Sequence, residues 1–297
     1  MTAKTATSMD VPAKPVASAI TVRRVPFVFP GDLDPIVVDG CPEESHRIVG
    51  VSLILPYLEP YLIRSMRAAR EHVRTPQLLA DLEAFCAQEG QHYRQHRRFN
   101  EAMRLAGIAG LREIEAEVEA DYQRYTRTKS LRWNLAYAEG FEAFTMAFAR
   151  FSLESGALDR VRSPAVRDLF AWHLIEELEH RTVAFDVYEH VCGGYPYRLG
   201  VGLFAQWHLG RFVHRVGNAM RSADPSGFRA KYGGRAEARA RTRPRDREAL
   251  TGFVPKVLAT YLPWYTPHAI EMTAAAQALA DHYAALSASA AAGPRAP

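Results

Sequence analysis

Glu89-Gly90-Gln91-His92 and Glu177-Leu178-Glu179-His180 both spell Glu-x-x-His inside long segments of helical character. Positions i and i+3 share one face of an α-helix, so each motif projects a carboxylate and an imidazole in the same direction. One such tetrapeptide in a chain with 11 His says little. Here each is preceded by an acid in an apolar run. Glu59 is the only charge in Val51-Ser-Leu-Ile-Leu-Pro-Tyr-Leu-Glu-Pro-Tyr-Leu-Ile63. Glu142 sits in Ala138-Glu-Gly-Phe-Glu-Ala-Phe-Thr-Met-Ala-Phe148, one turn after Glu139, and either acid can reach the same face. An unpaired carboxylate in such a run costs several kcal/mol to bury, so it must be exposed, protonated or bound to something.

Taken singly, these residues have plain readings. Glu59 can face solvent, Glu89 and His92 lie in a polar stretch, and Glu177 and His180 stand among charges that pair on a helix surface. The joint order is what counts: Glu, Glu-x-x-His, Glu, Glu-x-x-His, one element per long helix. Four-helix bundles that bind two iron or manganese ions use that set, all pointing inward. Clustered carboxylates with imidazoles suit iron, manganese or zinc. His173 lies four residues before Glu177 and seven before His180, on one stripe of the same helix. Beside Trp172 it reads as a packed core residue, or, next to two metals, as an extra nitrogen ligand. His96 reads as a supporting or surface residue, and Asp186 as a carboxylate that orients an imidazole. For Tyr57, Tyr93 and Tyr137 the default is core packing.

The spacing predicts an all-α fold. Long helices are expected over about 45–74, made irregular by Pro56 and Pro60, then 75–106, 129–154 and 163–191, with an acidic helical stretch at 111–125 between the second and third. Ser163-Pro164 and Thr75-Pro76 are capping hydroxyls followed by a first-turn proline. The four-helix metal-binding bundle occupies about 45–192, and additional helices follow at 197–220, 247–261 and 267–286. Residues 19–286 form a single helical domain, between a disordered leader (1–18) and a disordered low-complexity tail (287–297).

Composition narrows the setting. The formal net charge of +4 comes mostly from Arg, with only five Lys among 37 basic residues. The Arg-rich stretch 229–247 reads as a solvated loop, and no motif for a nucleic-acid partner accompanies it. Cys41, Cys86 and Cys192 form neither a zinc pattern nor a disulfide framework, which fits a reducing, cytoplasmic setting. No run reaches 18 apolar residues without a charge, so a spanning helix is not expected. The helix at 197–220 carries apolar and basic faces but is read as packed, without membrane contact.

At these residues the chain resembles the ferritin-like di-iron carboxylate superfamily. More narrowly it resembles a bacterial family described as "predicted metal-dependent hydrolase". The likeness rests on Leu55-Pro-Tyr-Leu-Glu59, Ser65-Met-Arg67, Gln88-Glu-Gly-Gln-His-Tyr-Arg-Gln-His96 with Asn100, Phe141-Glu-Ala-Phe-Thr145 and Trp172 to Tyr188. The run from His173 is also similar to the fourth-helix motif of di-iron arylamine N-oxygenases. That resemblance implies a ferritin-like four-helix bundle with metal ligands Glu59, Glu89, His92, Glu142, His173, Glu177 and His180. The Phe-Glu-x-Phe-Thr match favours Glu142 over Glu139. It implies two Fe ions (Mn or mixed Mn/Fe as variants) and a non-heme dinuclear iron oxygenase or oxidase. Such an enzyme would use O2 and an unidentified electron donor to oxidise a small-molecule substrate, as in N- or heteroatom oxygenation. The alternatives are a metal-dependent hydrolase with a dinuclear site and a non-catalytic iron-binding bundle. The oligomeric state is open, a homodimer included.

Overall fold

Pro42 places a residue without an N–H in the first turn of a helix, where that N–H has no partner to lose, and Glu43 and Glu44 sit at its positive end. That helix, α1 (Pro42–Ala69), runs unbroken through Pro56 and Pro60, where the sequence predicts irregularity. The run from Leu53 to Leu62 is almost wholly buried, and its packing outweighs the backbone hydrogen bonds that the two prolines remove. The structure is a computed structural model that describes residues 18–31, 33–105, 111–223 and 227–292.

A short 3₁₀ turn (Arg70–His72) leads into α2 (Pro76–Leu105), which packs along α1. α3 (Leu111–Thr128) lies across α1. α4 (Leu131–Glu154) starts at Ser130, whose hydroxyl accepts from the Trp133 backbone N–H at 3.2 Å. α5 (Pro164–Glu179) follows and packs on α4. Helices α1, α2, α4 and α5 make up the four-helix bundle.

The expected fourth helix is broken. It ends at Glu179 and restarts as α6 (Val183–Val191), so His180 is the first residue past the end of α5. Its Nδ1 is held by Gln88 at 2.9 Å while its Nε2 faces the carboxylates, and the chain turns there.

α7 (Tyr195–Ala223) packs across α1 and α4. It comes close because two glycines meet: a Cβ added at Gly140 would lie 2.2 Å from Cα of Gly202. The Arg-rich stretch is helical, not a loop, over α8 (Phe228–Tyr232) and α9 (Arg235–Glu248). Counter-charges explain the difference, since Arg241 and Arg245 reach Glu43 (2.8 Å) and Glu44 (2.6 Å) at the start of α1. A π-turn (Ala249–Phe253) and α10 (Val254–Thr260) complete this side.

α11 (Ala274–Ala292) buries Ala276, Ala280 and Tyr283 against the bundle. It extends through 287–292, where the sequence predicts a disordered tail; Ser287 accepts there from the Arg24 backbone N–H at 2.8 Å. Of the expected leader, residues 1–17 lie outside the described residues, as do 293–297 of the tail, while Ser18 donates to Asp81 at 2.5 Å. Among the described residues there is no strand beyond an isolated Val38–Val161 bridge, and no helix is long and apolar enough to cross a membrane.

Candidate metal centre

Glu59 from α1, Glu89 and His92 from α2, Glu142 from α4, and His173, Glu177 and His180 from α5 and its end converge in the bundle core. Each is at most 5% exposed. Three overlapping groups place one donor atom per residue within 4.8 Å of one another: Glu59, His92, His173; Glu89, Glu142, His180; and Glu89, His92, Glu177.

The two halves share their carboxylates. One oxygen of Glu89 lies 3.4 Å from His92 Nδ1 and 3.5 Å from His180 Nε2. Glu177 lies 2.9 Å from His173 Nε2 and 3.9 Å from His92 Nδ1 through one oxygen, and 3.5 Å from His180 Nε2 through the other. Among the imidazoles, Glu142 comes nearest His180, at 3.4 Å, and Glu59 pairs with His173 at 4.0 Å. Glu89 and Glu177 therefore occupy bridging positions, with Glu142 and Glu59 at opposite ends.

Surrounding side chains decide which ring nitrogens face inward. Glu176 sits 3.0 Å from His92 Nε2, which leaves Nδ1 toward the centre. Glu176 is itself held by the Trp172 indole N–H (2.9 Å) and Arg23 (3.2 Å). Gln88 Oε1 sits 2.9 Å from His180 Nδ1, leaving Nε2 inward. His173 Nδ1 is 2.9 Å from His96 Nε2, and His96 Nδ1 is 2.8 Å from the Ser52 hydroxyl, which donates to Asn100 at 2.7 Å. Such outer partners fix the orientation and tautomer of metal-binding imidazoles.

The inward atoms lack protein partners. Both oxygens of Glu59 and Glu89, His92 Nδ1, Glu142 Oε1, Glu177 Oε2 and His180 Nε2 are buried without a hydrogen bond. Buried polar atoms are seldom left this way, and here they face one another. Four carboxylates also repel. Burial, then the neighbouring carboxylates, raises Glu59 well above the ordinary range, and burial with Glu177 beside it pushes Glu142 up to about 8. Glu177 goes the other way: burial would raise it, but His180 and His173 hold it well below. Burial works against a charged His92, yet Glu176 and Glu89 raise it to about 9. His173 and His96 are lowered by burial and by neighbouring imidazoles, so both are neutral near pH 7. Two divalent ions would balance four carboxylates in charge and supply a partner to every orphaned donor. The residues fit a dinuclear site.

The structure separates Glu139 from Glu142. Glu139 turns to α7 and accepts from Arg198 at 2.7 Å. Asp186 orients no imidazole of the cluster; it pairs with His268 at 2.7 Å, because α6 begins after a turn that rotates it away from the α5 stripe. His96 supports His173 from outside. Tyr57 donates to Glu115 at 3.3 Å, Tyr93 packs at the margin of the core, and Tyr137 bonds Tyr122 and His208. Sequence reasoning missed Arg23, Glu176 and Ser52. Glu176 carries a signal, lying four residues after Trp172, whereas Arg23 belongs to an extended segment with no periodicity to read.

Beside this cluster lies a cavity of about 600 Å³, lined in part by Phe141, Thr145, Phe170 and Leu174. A family model described as "Predicted metal-dependent hydrolase" matches residues 21–271. No curated protein and no solved structure matches the chain.

Proposed function

The chain belongs to the predicted metal-dependent hydrolase family, and on that premise we propose that it is a two-metal enzyme that hydrolyses a small organic substrate. The observation that carries the metal reading is the set of buried, unpartnered donor atoms at the meeting point of four helices. Glu59, Glu89, His92, Glu142, His173, Glu177 and His180 would hold the ions, with Glu89 and Glu177 between them. Bound there, two ions offer either a water made nucleophilic at neutral pH or, as iron, electrons for O2.

The chain's own contribution is positional. Glu176, Gln88 and His96 hold three imidazoles in fixed tautomers, and Trp172 and Phe85 pack edge-on against His92 (4.9 Å) and His180 (4.8 Å), shielding them from water. The cavity beside Glu142 and His173 gives a substrate a place to sit.

The family description supports hydrolysis better than the oxygenase reading drawn from the ligand pattern. One observation favours oxygenation as a second reading: the cavity wall nearest the cluster, Phe141, Phe170 and Leu174, is apolar, and the Thr145 hydroxyl beside it already donates to the Glu142 carbonyl. That reading needs iron, O2 and an electron donor, and rests on the ferritin-like resemblance. Either would operate in the cytoplasm, without nucleic acid or membrane.

Loading the protein with Zn, Mn or Fe(II) and assaying a panel of aryl and acyl esters and amides, alongside O2 consumption, separates them. Hydrolysis without O2 supports the first reading. O2 uptake in proportion to Fe(II), with no hydrolysis, replaces it with the second. A protein that binds two ions and does neither is the non-catalytic bundle.

A further inference from the structure

The cavity beside the donor cluster differs at its two ends. Phe141, Phe170, Leu174 and Leu209 form a buried apolar inner wall. Phe141 and Thr145 flank Glu142 along α4, and Phe170 and Leu174 bracket His173 on α5. The Phe170 ring meets His96 edge-on at 5.3 Å, and His96 in turn bonds His173, so on this side Phe170 and His96 stand between cavity and cluster. Phe253, brought in by the π-turn, closes the roof against Phe144 (5.3 Å) and Phe148 (5.9 Å).

The rim is charged, and its acids are already matched. Glu43 pairs with Arg241 (2.8 Å), Glu44 with Arg245 (2.6 Å) and Arg160 (3.1 Å), and Glu248 with Arg160 (3.6 Å). Arg47 stands 3.7 Å from Asp246. Arg239 lines the same rim, is exposed, and has no ion pair among the described residues. Of the two α9 arginines that line the cavity, Arg245 is paired and Arg239 is not, over a cavity of the size that takes small organic ligands.

We infer that this cavity binds an apolar organic anion, its acyl or aryl body against Phe141, Phe170 and Leu174 and its carboxylate or similar group at Arg239. The inference rests on the reading that the cavity serves the donor cluster. A planar guanidinium grips a carboxylate through two parallel hydrogen bonds. A neutral ligand of the same shape leaves that guanidinium in water, and a cationic one meets repulsion. Bound head-outward, such a ligand rests its far end on the inner wall, against the side chains that cover the cluster.

The test is calorimetric titration of the full-length, metal-loaded protein with dodecanoate and 2-naphthoate, each against its alcohol, dodecan-1-ol and 2-naphthalenemethanol. Metal content is measured on the same samples. At least one acid should bind about 10-fold more tightly than its alcohol, equivalent to about 1.4 kcal/mol, with the preference shrinking as salt is added. Dodecanoate alone assigns an acyl body, and 2-naphthoate alone an aryl one. Arg239→Glu, on the exposed face of α9, should erase the preference and leave alcohol binding unchanged. Val213→Trp, which fills the cavity, should weaken both. Equal binding of acid and alcohol, or a preference that survives Arg239→Glu, overturns the inference. Two ions per chain without anion preference refutes it alone; anion preference in protein that takes up no metal refutes the metal reading alone.

Discussion

Replacing Glu59 by Leu should stabilise the protein when metal is absent and cripple it when metal is supplied. Both Glu59 oxygens are buried with no hydrogen bond, and three other carboxylates raise the cost of ionising it. In metal-free protein that unmet polar group costs about 1–3 kcal/mol, and a leucine in its place adds about 1.5–3 kcal/mol of apolar burial. The shorter, branched side chain leaves part of the volume unfilled, so a net gain of about 2–4 kcal/mol is expected. For a chain of this size that corresponds to a midpoint rise of about 3–6 °C. Thermal unfolding with excess chelator and then with added metal, with metal content read by mass spectrometry, checks both halves. The variant should melt above wild type in chelator, hold fewer ions and gain less from metal. A variant that melts below wild type in chelator, or keeps the full metal content, would refute the claim that Glu59 is a buried ligand waiting for an ion.

Metal-free protein should lose stability as pH rises from about 5 to 9. Glu142, raised to about 8, is protonated in the fold while its unfolded counterpart ionises near 4.5, so each pH step across that window favours unfolding. His92, raised to about 9, adds to the loss above pH 6.5, while the depressed Glu177 acts only below pH 4.5. Chelator-treated protein melted across this range checks the slope, and metal-loaded protein should show the slope flattened, since ions displace those protons. Glu176→Gln should weaken metal affinity by about 10- to 100-fold by removing the carboxylate that faces His92 Nε2, with little change in fold; competition with a chromophoric chelator reads it. Gly140→Ala should cost about 1–3 kcal/mol or more, because its Cβ meets Gly202 backbone and not a movable side chain; chemical denaturation measures it.

Much of the site was legible because helical spacing is a strong code. The i, i+3 pairs and the extra histidine one turn earlier place Glu89, His92, His173, Glu177 and His180 on inward stripes, and the structure brings all five together. The choice between Glu139 and Glu142 was not decidable from spacing, since both lie one turn apart. In space Glu139 is engaged by Arg198, which comes from a helix almost 60 residues away, while Glu142 faces the donor cluster. The break at His180 was equally invisible: nothing in Glu179-His180-Arg181-Thr182 resembles a stop signal, and the turn follows from contacts that Gln88 and the carboxylates make. Arg243-Pro244 and its many arginines read as a loop until the acids of Glu43 and Glu44, some 200 residues earlier, lie alongside. Local periodicity was readable, whereas partners distant in sequence were not.

The most direct measurement is the number of metal ions bound per chain by the wild-type protein and by Glu177→Ala and Glu139→Gln, from metal analysis with anomalous scattering to locate each ion. Wild type should hold two ions, between Glu59 and Glu142 and on either side of Glu89 and Glu177. Glu177→Ala should lose both and Glu139→Gln keep both. Two ions surviving in Glu177→Ala, or wild-type protein that takes up none, would contradict a dinuclear centre built on these residues.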